Sequence, residues 1–172
     1  MRQVLRAFAG FAIFLGATFL ASAQRPPEEL KPPANEQLLL QVHSTGTQIY
    51  ACKAEGAKFT WSLKGVEAQL TEKDGKAFGK HSTGPTWEAL DGSRVTGKAT
   101  ANTPSPDSDS IPWLLITVAS HSGKEGTLSK ITSIQRLNTK GGKAPGTGCV
   151  KQNVDQEVHV PYSADYLFFA PK

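Results

Sequence analysis

What most limits the possible folds of this chain is its punctuation. From residue 36 onward, short runs rich in β-branched and aromatic residues alternate with clusters of Gly, Pro, Asn, Asp and Ser, the pattern of strands joined by turns. Residues 38–42, 47–54, 67–71, 77–81, 157–160 and 166–170 are such runs. Within Phe59-Thr60-Trp61-Ser62-Leu63-Lys64 apolar and polar residues alternate, which puts Phe59, Trp61 and Leu63 on one face of a strand and Trp61 in the expected core. Residues 113–120 form a largely apolar run, rich in strand formers and too short for a typical helix, so they read as a central strand buried on both faces. Asp74-Gly75 and Asp91-Gly92 supply the positive φ angles of tight hairpin turns. Only residues 128–139 stay ambiguous: Ile131, Ile134 and Leu137 recur every three residues as on a helix, while the surrounding Thr and Ser favour a strand. The fold expected is all-β, a single antiparallel sandwich or flattened barrel over residues 36–172.

Two segments precede that domain. Residues 1–23 carry Arg2 and Arg6, an uncharged apolar run over residues 7–20, and the small triplet Ala21-Ser22-Ala23, which together read as a secretory signal peptide. The apolar run is too short to cross a bilayer, which takes roughly 20 residues. Residues 24–35 hold Pro26, Pro27, Pro32 and Pro33 and are expected to form an extended, poorly packed arm. The expected address is periplasmic or secreted, with no membrane attachment once the signal is cleaved.

Charge and cysteines narrow the field further. The formal net charge is +4, and losing Arg2 and Arg6 with the signal would reduce it to +2. The lysines are scattered, whereas a nucleic-acid binder shows a basic stripe, so nucleic acid is not expected as a partner. In an exported chain the two cysteines, Cys52 and Cys149, are expected to form one structural disulfide. Neither a Cys-x-x-Cys nor a tight Cys/His spacing suggests redox chemistry or a metal.

Several motifs bear on chemistry. Residues 92–99, Gly-Ser-Arg-Val-Thr-Gly-Lys-Ala, fall one residue short of a phosphate-binding loop. Ala99 stands where Ser or Thr must hold magnesium, and no helix pattern follows. The common hydrolase, zinc-protease and dinucleotide signatures are absent from the sequence. His43-Ser44-Thr45-Gly46 recurs as His81-Ser82-Thr83-Gly84 and, shortened, as His121-Ser122-Gly123; with His159 the four histidines are 38 to 40 residues apart. They could converge on one rim of a barrel, but reuse of polar turn chemistry explains the echo more simply, and no metal is assigned. Trp87 beside Glu88 and Asp91 could form an aromatic floor with two carboxylates, as sugar hydrolysis requires, or be a buried Trp with its acids in a solvated turn. Arg136 lies among apolar neighbours and needs a partner there, for which Glu88, Asp91 and Asp165 are candidates.

Gln48-Ile49-Tyr50-Ala51-Cys52, Gly84-Pro85-Thr86-Trp87-Glu88, Asp91-Gly92-Ser93, Ile111-Pro112-Trp113-Leu114-Leu115, Ile134-Gln135-Arg136-Leu137-Asn138-Thr139 with Gly141-Gly142, Ala144-Pro145, and Val160-Pro161-Tyr162 resemble a family of exported bacterial and fungal proteins known as domain of unknown function 3455. The likeness runs from about residue 38 to 169. Some fungal members carry the label malate dehydrogenase, but the glycine fingerprint and βαβ alternation of a nicotinamide-binding fold are missing here, so the chain is not read as a dehydrogenase.

Taken together, these features describe a monomeric exported binding or structural module, without catalysis or cofactor, acting on an unknown ligand or an extracytoplasmic protein partner. His81, Trp87, Glu88, Trp113 and Arg136 are the expected lining of a shallow cleft at one rim. One alternative is a cell-wall or glycan-directed hydrolase using Glu88 and Asp91. Another is an inhibitor of a secreted enzyme that presents residues 102–112.

Overall fold

The computed structural model describes residues 25–172, so the signal segment lies outside the described residues. Eight strands form a closed, up-and-down antiparallel barrel in sequence order: β1 (Glu36–Glu55), β2 (Lys58–Thr71), β3 (Ala77–Ser82), β4 (Thr86–Ala89), β5 (Ser93–Thr103), β6 (Trp113–Gly123), β7 (Ser133–Gly141) and β8 (Glu157–Pro171). Of the two expected architectures it is the barrel. Every strand pairs with its sequence neighbour, and β8 returns to β1 to close the sheet. Closure leaves no end strand, although the first half of β2 runs past β3 without pairing to it.

The turns follow the sequence expectation. Gly75 and Gly92 hold φ of 85° and 87°, a region open to glycine at no steric cost. The expected breaks at residues 43–46 and 161–165 do not occur: β1 runs through His43-Ser44-Thr45-Gly46, and β8 runs through Pro161. Pro161 is tolerated because its carbonyl, and hence its missing N–H, points toward β7, where pairing begins only at Tyr162.

The two ends of the barrel are built differently. At one end the β6–β7 connection folds inward, so that Leu128 and Ile131 are fully buried against Val95, Phe78 and Phe168. The helix-like period of residues 128–139 thus divides into a buried turn followed by a strand. Full burial of each such side chain is worth about 1.5–3 kcal/mol. At the other end the β1–β2 hairpin runs on beyond its neighbours, since β2 meets β3 only from Glu67. The projecting hairpin is tied to the β7–β8 connection by the Cys52–Cys149 disulfide, which bears out that expectation.

Three burial expectations are corrected. Phe59, Trp61 and Leu63 do share a face, in register with Ala54, Cys52 and Tyr50, but it lies on the projecting hairpin, past the barrel. Trp61 is therefore only half-buried and donates Nε1–H to the Thr147 carbonyl at 2.8 Å. β6 is not buried on both faces throughout, because it is exposed from Ala119 onward. Trp113 is buried outside the barrel wall, where Leu30 covers it together with Leu137. The described part of the arm is thus packed: Leu30 is fully buried in a 3-10 turn (Glu28–Leu30), and its carbonyl accepts from Gln135 Nε2 at 2.6 Å.

Candidate functional site

Eight strands enclose an interior just wide enough to be filled by side chains or to hold one small ligand. Here the filling is incomplete. Toward the end from which the hairpin projects lies a cavity of about 280 Å³, walled by Val66, Trp87, Leu114, Ile116 and Tyr166 and entered past Leu63, Lys64, Thr83, Pro85 and Ala99. A larger depression of about 450 Å³ near Asn102 and Lys143 is lined mostly by exposed loop residues and lacks such walls.

Strand alternation sends His81, Trp87 and Arg136 into this cavity. His81 on β3 pairs with Trp87 on β4, and the two rings stack at 4.4 Å, with Tyr166 edge-on to both. His81 Nδ1 lies 2.9 Å from the Thr86 carbonyl. A carbonyl only accepts, so Nδ1 carries the proton and Nε2 presents a lone pair. Burial, reinforced by the nearby Arg136 charge, pushes the imidazole down to about 4 against the opposing pull of the Thr86 bond. His81 is a neutral acceptor at physiological pH.

Gln48 is 3% exposed and lines the cavity, yet its side-chain amide has no hydrogen-bond partner among the described residues. The sequence offered one sign of it: Val42, Ser44, Gly46 and Gln48 occupy alternate positions of β1, an inward row that turns polar toward one end. Tyr166 was also missed, hidden in an aromatic run. Burial drives its hydroxyl well above the usual phenol range. The Tyr162 hydroxyl and the Arg136 guanidinium are near enough to influence it, but neither has hydrogen-bond geometry, and its oxygen, like Trp87 Nε1, is sealed and unpartnered.

Arg136 is partly buried and donates Nε–H and Nη2–H to the Pro112 carbonyl at 3.1 and 2.8 Å. None of its three candidate acids reaches it. Glu88 accepts from Arg94 at 2.7 Å and pairs with Lys80 at 3.5 Å. Partial burial raises its carboxyl, but those two cations outweigh that and hold it below the ordinary glutamate range. Asp91 is held by the Ser93 hydroxyl and by Thr127, which keep it well below the carboxylate norm. Asp165 bonds His43 and Asn138.

Of the five expected lining residues, three meet in the cavity and two do not. Glu88 follows Trp87 on a strand and so faces away from it, and Trp113 lies under the arm. A hydrolytic pair of Glu88 and Asp91 facing Trp87 therefore does not form. The histidines also scatter: His43 bonds Asp165, His81 stacks inside, and His121 Nε2 donates to the Ile131 carbonyl at 2.8 Å. Among the described residues, no group of three His, Cys, Asp or Glu side chains is placed to hold one metal ion. No described helix is long and apolar enough to cross a membrane.

No curated protein and no solved structure matches the chain. Its motifs and disulfide-tied barrel sit within a match to one family model over residues 32–170, and the chain therefore belongs to the family described as protein of unknown function DUF3455.

Proposed function

We propose that this protein is a non-catalytic small-molecule binding module that works outside the cytoplasm and takes its ligand into the barrel cavity. The observation that carries this reading is the apolar-walled cavity of about 280 Å³ inside the barrel, onto which Gln48 presents a side-chain amide without a hydrogen-bond partner among the described residues. An amide facing such a cavity is free to bond a ligand's polar group, and a few placed polar groups in an apolar lining are what small-molecule sites use. The void lies just under the roughly 300–1,000 Å³ of pockets for drug-sized ligands, so the ligand is small. Extracytoplasmic placement is supported by the Cys52–Cys149 bridge and by the signal-like residues 1–23.

The test is titration with a neutral apolar fluorophore, N-phenyl-1-naphthylamine, against the wild type and an Ala99→Trp variant that obstructs the mouth. One saturable site that disappears in the variant is expected. The absence of saturable binding, or binding indifferent to Ala99→Trp, would overturn the reading.

A further inference from the structure

The cavity lining contains two cations, Lys64 and Arg136, and no carboxylate. Lys64 is exposed and already paired with Glu157. Arg136 is different: partly buried, set among Tyr166, Leu114 and Trp87 at the cavity wall, and without an ion pair to any described residue. The Pro112 carbonyl satisfies two of its five N–H groups but leaves its charge uncompensated. A half-buried guanidinium at an apolar wall, with no acid beside it, is placed to receive an anion, and its planar fork matches a carboxylate. Each acid that might have supplied one is engaged elsewhere, as described above.

We propose that the ligand is a small apolar monocarboxylate whose head group docks on Arg136, with the Gln48 amide as a further donor and with its hydrocarbon body against Trp87, Leu114 and Ile116. This rests on the cavity being the binding site and adds to it the charge and shape of the occupant. The apolar walls argue against a phosphorylated or multiply charged ligand, for which one arginine is too little. The neutral His81 adds no second positive charge and leaves an acceptor at Nε2, so a hydroxyl on the ligand body is tolerated.

The experiment uses three probes of one length at neutral pH, octanoate, 1-octanol and octylamine, titrated calorimetrically into the wild-type protein and into Arg136→Met and Arg136→Lys variants. Octanoate is expected to bind about tenfold tighter than octanol, the worth of one charged hydrogen-bonded contact, with octylamine weakest. Arg136→Met should erase that preference while retaining octanol, and Arg136→Lys should keep part of it. Equal affinity of wild type for octanoate and octanol would overturn the carboxylate assignment and leave the cavity reading intact; so would a preference that survives Arg136→Met. If no probe binds, both fall. The wild-type comparison decides the matter even if a variant fails to fold.

Discussion

The two ends of this barrel solve the same problem in opposite ways. The end beneath the β6–β7 connection is closed by packing: Leu128 and Ile131 are fully buried, and the neighbouring turn is stitched by Asp91, which accepts from the backbone and hydroxyl groups of Ser93 and Thr127. The end from which the β1–β2 hairpin projects is closed by a covalent tie and left open inside, where it retains an unpaired amide, a neutral imidazole and an arginine without an acid. Structural elements tend to satisfy their polar groups, whereas sites keep unsatisfied ones for a partner. One end of the molecule thus holds the barrel together, and the other is available for recognition.

That contrast can be broken by measurement. Replacing both Cys52 and Cys149 by Ala should cost about 4–5 kcal/mol by the chain-entropy account of a loop this long, read from chemical denaturation; a much smaller loss would mean that packing also holds the open end. Leu128→Ala should cost about 3–4 kcal/mol, the range for a buried leucine that leaves a cavity, without altering ligand affinity. Loss of binding in that variant would show that the ends are coupled.

Acid should act at the open end through His81. Folding holds this imidazole down at about 4, while the unfolded chain takes up its proton near 6.5. The contribution is therefore complete above about pH 7 and is lost as pH falls toward 4, on the order of 3 kcal/mol across that window. His81→Phe should flatten this part of the stability profile; an unchanged slope would assign it to other groups. The smallest effect is expected from Arg136→Met, a stability change within about 1 kcal/mol. A large loss would make Arg136 a structural residue and erase the distinction between the ends.

Much of this arrangement is legible in the sequence, for definable reasons. Asp74-Gly75 and Asp91-Gly92 mark their turns because the required backbone angles admit few residues. The disulfide follows from two cysteines in a chain read as exported. His81, Trp87 and Arg136 stand out because large or polar groups at inward positions are conspicuous. What alternation cannot reveal is which face is covered, and by what. Trp61 and Trp113 stand in strands as Trp87 does, yet one lies on a hairpin beyond the barrel and the other beneath Leu30, itself part of an arm whose prolines suggested a free tail. Gln48 has only a weak signature, a polar turn in the inward row of β1; its significance arises when the barrel closes around it.

The seam between β1 and β8 has a kinetic consequence. All other strand pairs join sequence neighbours and can form as the chain emerges, but this one must wait for residues 157–171. Until then β1 and the growing end of the sheet present bare edges, the surfaces through which chains aggregate. Without β8 the sheet cannot roll shut, so the fifteen residues of that strand decide whether the product is a closed cylinder or an adhesive ribbon.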